Sequence, residues 1–258
     1  MTAAHRSSSL ALLHGQPGDP SDWHRVLPLL DSPDAVLVPA RPGYDEQPAT
    51  DWAGNAHWLL EQLPSDRPAV IVGYSWSGGV ALEAALQAPD RVGALVLVAS
   101  VGTAGALHLG DTLLQHRPIS AVSASFMRRT GRRMTDTSIR STGSKLDDEA
   151  REYVAQRLDA GQTGPDWTAF RVEQQALLRD SAGMEARLGQ VDVPVTVVIT
   201  TRDRSVPPGS QLELAALLPR ARIVPVVAGH LVLLEDPAAV AAAIRETVAA
   251  IGVGAALG

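Results

Sequence analysis

Residues 72–79 read Val72-Gly73-Tyr74-Ser75-Trp76-Ser77-Gly78-Gly79, directly behind the apolar run Ala69–Val72 and directly ahead of a helical pattern over Gly78–Ala88. A serine with small residues two positions to either side, set between a strand and a helix, marks the sharp turn of a nucleophile elbow. The turn holds its serine in a strained conformation, and a larger side chain two positions away would strike neighbouring backbone. Ser77 also has small neighbours, Ser75 and Gly79, so the register has two readings. Ser75 is preferred, because it follows the strand end by three residues and leaves Gly78-Gly79 to pack the helix on the sheet.

Outward from this stretch, short apolar runs recur at Leu10–His14, Ala35–Val38, Ala69–Val72, Ala94–Val98, Val195–Ile199 and Ile223–Val227. Continuous apolar runs of this length read as strands buried on both faces, the signature of a parallel sheet. Helical patterns lie between them at Trp52–Leu63, Pro208–Leu218 and Pro237–Ala250, the last two opening with proline where its missing N–H is harmless. The alternation predicts an α/β fold: a doubly wound, mainly parallel sheet of about six strands. From Gly102 to Asp192 no strand is legible, and helices at Leu146–Ala160 and Trp167–Arg179 are clearest. The chain thus divides into a sheet core, 1–101 and 193–258, and a helical insertion, 102–192, after the fourth strand. That insertion reads as a lid over a site or as a packed subdomain. Its Phe126, Met127, Met134, Trp167 and Phe170 read as helix packing, and the arginine-rich Arg128–Arg133 as a solvated turn.

A nucleophilic serine needs a base, an acid to orient that base, and donors for the oxyanion. An elbow serine should be followed in the chain by the acid and then by histidine. Asp203 follows the Val195–Ile199 run and His230 follows the Ile223–Val227 run, each at the carboxyl end of its strand, where α/β sites form. Taken singly, each has an ordinary reading as a turn or surface residue. Three residue types in the required order, each on the loop of a different strand, make a pattern. In the first loop, His14-Gly15-Gln16-Pro17-Gly18, Pro17 has no N–H, so Gln16 is the expected oxyanion donor beside the N–H of Trp76. Gln16 and Trp76 are also the expected substrate contacts, although Trp76 equally fits packing beneath the insertion. His14 is expected to hold its loop by hydrogen bonds.

The 258 residues include no cysteine, which excludes disulfides, thiolate metal sites and cysteine nucleophiles. Lys145 is the single lysine, and the net charge of −6 argues against nucleic acid as a partner. No apolar run approaches the length of a membrane span, so a cytoplasmic protein without membrane contact is expected. The seven histidines show no metal-ligand spacing, and no strand is followed by a dinucleotide-binding glycine pattern; neither metal nor cofactor is expected. The partner is then a small-molecule substrate, and oligomeric state is not legible.

The stretches Leu13–Gly18, Arg41-Pro-Gly-Tyr44, Val72–Gly78, Asp203 with Val206-Pro207, and Gly229–Pro237 together resemble the α/β-hydrolase superfamily, in its esterase-like branch with a helical cap. The resemblance spans nearly the whole chain. It implies Ser75 as nucleophile, His230 as base, Asp203 as acid, and 102–192 as the cap roofing the pocket. Two departures stand out. Only about nine residues precede Leu10, so most of the usual first strand pair should be missing, and Asp45 and Gln47 replace small and hydroxyl residues in the loop after the second strand. The implied activity is a serine hydrolase acting on an ester or lactone of a small, partly hydrophobic substrate through an acyl-enzyme. The same machinery fits carbon–carbon bond cleavage, cyclisation of a natural product or perhydrolysis, and a weakly catalytic sensor is a further reading.

Overall fold

The computed structural model describes residues 9–32, 35–106, 132–160 and 166–252. Strands β1 (Leu10–Leu13), β2 (Ala69–Tyr74), β3 (Val92–Val98), β4 (Val195–Thr200) and β5 (Ala221–Val226) lie side by side in that order, all parallel. The core of the chain adds helices α1 (Trp52–Gln62), α2 (Ser77–Gln87), α6 (Pro208–Leu217), α7 (Val232–Glu235) and α8 (Pro237–Ala250). Between β3 and β4 lie α3 (Thr135–Ser141), α4 (Asp148–Ala160) and α5 (Asp166–Glu185).

Strand side chains alternate between two separate cores, as the pleat requires. Ala11, Leu13, Ala69 and Ile71 pack with Leu59, Leu82 and Leu214 of α1, α2 and α6 on one face. Leu10, Leu12, Val70 and Val72 pack with Trp23, Val26 and the Val240 and Ile244 of α8 on the other. Burial on both faces is why these strands read as unbroken apolar runs.

The expected strand Ala35–Val38 does not form, so the sheet has five strands. Leu37 makes one bridge to β1, donating its N–H to the Leu10 carbonyl and accepting from Leu12 N–H, both at 2.9 Å. The ladder stops there for a chemical reason. Pro39 has no N–H for the next rung, and the Ala35 N–H is turned back to the Ser32 carbonyl at 3.0 Å. From that bridge, outside β1, the chain crosses by α1 to β2 on the other side of β1. The carboxyl end of β1 is therefore a switch point, where such sheets open a crevice.

The expected helices of the insertion appear as α4 and α5; α3, a short polar helix without an apolar stripe, was not legible. Residues 1–8, where loss of the strand pair would be read, lie outside the described residues, as do Phe126, Met127, most of the arginine run and the side chain of Trp167. Asp45 and Gln47 are exposed, and Asp45 caps a tight turn by accepting the Gln47 N–H at 2.8 Å. Among the described residues no helix is long and apolar enough to cross a membrane.

Candidate active site

Ser75 has φ of +55°, a left-handed conformation costly for a non-glycine residue. The strain is held by backbone: its N–H donates to the Val98 carbonyl at 3.0 Å, and its carbonyl accepts from Gly78 and Val101 at 3.0 and 3.2 Å. Two residues before it, a Cβ on Gly73 would lie 2.4 Å from the Ser77 carbonyl oxygen, so only glycine fits. Ser77 sits in the first turn of α2, fully buried, its hydroxyl donating to the His14 carbonyl. The register ambiguity is thereby resolved: Ser75 occupies the turn, and Ser77 ties the turn to the first loop.

The three loops meet. Ser75 Oγ is 2.9 Å from His230 Nε2, and His230 Nδ1 is 2.8 Å from Asp203 Oδ2. The Asp203 side chain is wholly buried, and its charge is matched by donors: Oδ1 accepts the N–H groups of Ser205 and Val206 at 2.8 and 2.9 Å, and Oδ2 accepts the Thr200 hydroxyl at 2.9 Å. Gln211 adds a contact to Oδ2 at 3.3 Å from α6. Asp203, fixed this way, is an acceptor for an Nδ1–H of the imidazole, and a ring in that tautomer has Nε2 free to accept from the Ser75 hydroxyl. Tyr74 stacks on the His230 ring at 5.5 Å between centroids and donates its hydroxyl to the His230 carbonyl at 2.9 Å. Burial, and after it the charge of Asp22, keeps the Tyr74 phenol well above its usual range.

Residues 142–144, just past α3, brace both the acid loop and the base loop. The Thr142 carbonyl accepts the His230 N–H at 3.0 Å and the Arg204 N–H at 3.3 Å, while Ser144 Oγ accepts the Leu231 N–H at 2.9 Å. Gly143, at φ +78°, lets this turn press against the acid loop: a Cβ there would lie 1.9 Å from the Arg202 carbonyl oxygen. Nothing in the local sequence marks this role, because it depends on contacts roughly sixty to ninety residues away, a separation that only tertiary structure closes.

Gln16 and Trp76 both line the cavity, and among the described residues neither backbone N–H has a protein acceptor. Their side chains hold α5 instead: Gln16 Nε2 donates to the Phe170 carbonyl at 2.8 Å and Trp76 Nε1 to the Glu173 carbonyl at 3.1 Å. The two alternative places for Trp76 are thus both occupied by the one residue: it is among those lining the cavity, and its indole packs beneath the insertion. Arg41 ties the same parts together. Its guanidinium pairs with Glu173, donates to the Gly15 carbonyl at 2.8 Å and lies 4.7 Å from the Trp76 ring centroid. Tyr44 donates to the second Glu173 oxygen at 2.8 Å. Burial still leaves the Glu173 carboxyl above its usual range, opposed by Arg41 and Tyr44.

His14 is structural, as expected. Its Nδ1–H meets the Gly15 carbonyl at 3.0 Å and its Nε2 accepts the Arg41 N–H at 3.2 Å, which requires the neutral ring. Burial, and then the Arg41 charge, lower its proton affinity well below the usual histidine value.

A cavity of about 680 Å³ opens above Ser75 and His230. Val101, Ile139, Val154, Leu158, Phe170 and Leu177 give it an apolar body, while Asp19, Asp22, Tyr153 and Arg157 make one polar wall. Its size suits a small organic ligand.

Comparison with known proteins bears on the fold and the family. The model of the alpha/beta hydrolase family matches residues 10–243. A pimeloyl-[acyl-carrier protein] methyl ester esterase of Aromatoleum aromaticum is 40% identical over 92 residues, covering 34% of this chain and 36% of that protein; the match thus spans about a third of either length. A 2-hydroxy-6-oxononadienedioate/2-hydroxy-6-oxononatrienedioate hydrolase of Comamonas testosteroni is 25% identical over 236 residues, 85% of this chain and 80% of its own. Among solved structures, a thermophilic esterase from Thermogutta terrifontis superposes with a TM-score of 0.72 at 21% identity, covering 95% of this chain and 91% of its own.

Proposed function

The chain belongs to the alpha/beta hydrolase family, and from that premise we propose that it is a serine hydrolase cleaving a carboxylic ester or lactone through an acyl-enzyme on Ser75. The observation that carries this reading is the continuous relay from Ser75 Oγ through His230 to the buried Asp203, with Ser75 held at φ +55°.

In the first step Ser75 Oγ attacks the acyl carbonyl carbon as its proton passes to His230 Nε2, and Asp203 steadies the resulting imidazolium. The oxyanion is held by the N–H groups of Gln16 and Trp76, the latter at the amino end of α2, where the helix dipole favours negative charge. His230 then gives its proton to the departing alkoxide oxygen. Water, deprotonated by the same nitrogen, hydrolyses the acyl-enzyme and restores the serine. Residues 102–192 act as the cap, with α4 and α5 supplying the apolar wall that favours a small, partly hydrophobic substrate.

A second reading draws on the Comamonas testosteroni relative, whose name points to an oxo-dioate substrate. The polar wall weighs against it, since its arginine, Arg157, is already paired with Asp19.

The test is labelling with a fluorophosphonate and turnover of a small aryl ester. The parent protein labels on Ser75 within minutes and turns over the ester; Ser75→Ala does neither. Full activity in Ser75→Ala overturns the proposal.

A further inference from the structure

Asp22 stands in the polar wall of the cavity with its carboxyl poorly satisfied. Its side chain is only 17% exposed, and the residue is among those lining the cavity. Every partner is distant: the Tyr153 hydroxyl at 3.3 Å, the Asp19 N–H at 3.4 Å and the Arg157 guanidinium at 3.8 Å. Arg157 makes its close pair with Asp19 instead, and the Tyr153 hydroxyl has a nearer partner in Ser21 Oγ at 2.8 Å. A buried carboxylate normally gathers several short donors, as Asp203 does in this same molecule. The contrast between the two aspartates is the observation that needs an account.

We propose that Asp22 is a substrate-recognition residue whose carboxyl receives a hydrogen-bond donor, a hydroxyl or an ammonium, carried on the molecule whose carbonyl meets Ser75.

This deepens the ester-hydrolase reading and rests on it. The location suits the role. Asp22 borders the oxyanion loop, its Oδ2 lying where a Cβ on Gly18 would come within 2.4 Å, and its charge reaches Tyr74, the ring stacked on His230. The charge balance sets the chemical class. Arg157 is already engaged by Asp19 and stands 3.8 Å from Asp22, so a hydrogen-bond donor on the ligand is welcome at Asp22 and a carboxylate finds no partner there. Burial pushes the Asp22 carboxyl up to about 7, the behaviour of an acid short of donors. A capping contact to the Asp19 N–H alone would not require the carboxyl to face a cavity.

The experiment uses aryl esters of graded acyl length ending in methyl, hydroxyl, ammonium or carboxylate. Selectivity is read as kcat/KM ratios within one protein, so that a general loss cancels. The parent should favour hydroxyl and ammonium ends over methyl by about tenfold at the best length, with carboxylate worst. Asp22→Asn should lose the ammonium preference and keep the hydroxyl preference; Asp22→Leu should lose both. Equal ratios in all three proteins, or a preference for carboxylate, overturn the proposal. If no ester is turned over, the hydrolase reading fails, and thermal shift decides the Asp22 proposal separately. Simple alkanols and alkylammonium ions should then stabilise the parent and not Asp22→Leu, and equal shifts overturn it.

Discussion

The guanidinium of Arg41 and the carboxylate of Glu173 form an ion pair in which neither side chain is exposed to solvent. Arg41 belongs to the sheet core and Glu173 to α5, so the pair fastens α5 onto the loop after β1. Each charge is tolerable only because the other is present. Arg41→Met and Glu173→Leu, singly, should each lower stability by about 3–5 kcal/mol, whereas the double variant should recover most of the loss. Urea unfolding of the four proteins checks this; additive losses would show that the two residues act independently.

Asp203→Asn keeps the shape of the acid and removes its charge. The amide can turn its N–H₂ toward Nδ1 and leave the imidazole in the wrong tautomer. Turnover of an aryl ester should fall by about ten-thousand-fold in kcat, with the folded structure retained. Circular dichroism and steady-state kinetics together test this, and a loss below about tenfold would remove Asp203 from the mechanism.

The turn at 142–144 should be felt in kcat. Ser144→Ala withdraws the acceptor for the Leu231 N–H beside His230, and kcat should fall about three- to tenfold with KM little changed. Ser144→Thr should restore most of it. Gly143→Ala is more severe, because φ +78° and the Arg202 carbonyl oxygen both oppose a side chain, at a cost of about 1–3 kcal/mol. Wild-type kinetics in Ser144→Ala would mean that the base loop holds itself.

Asp22 gives the protein a readable pH dependence of stability. Its carboxyl, at 3.8 in the unfolded chain, is pushed up to about 7 in the folded protein, chiefly through burial. Between those values the unfolded chain has released a proton that the folded chain retains, so stability falls as pH rises from about 4 to about 7, and the whole cost remains above that range. Asp22→Asn should therefore melt higher than the parent at about pH 8, with the advantage shrinking toward about pH 5. An advantage that does not change with pH would contradict the assignment.

Much of this was legible in the chain. Ser75, Asp203 and His230 each follow a strand end, and strand ends in a parallel sheet are marked by apolar runs that burial on both faces keeps unbroken. The run at Ala35–Val38 misled for a local reason: its apolar character is that of a strand, but its backbone donors are spent on Ser32 or absent at Pro39. Arg41–Glu173, Asp22–Tyr153 and Thr142–His230 left no trace, because each joins residues more than eighty apart whose spacing carries no period.

The turn at Thr142–Ser144 has a consequence for how such a protein can change. A chimera given a different segment between β3 and β4 would receive a new pocket wall, but it would also lose the carbonyl that holds His230 and Arg204 and the glycine that lets it approach. Under the proposed mechanism, substrate range and reaction rate would therefore be inherited together, and a transplanted segment would succeed only if it carried its own support for the imidazole.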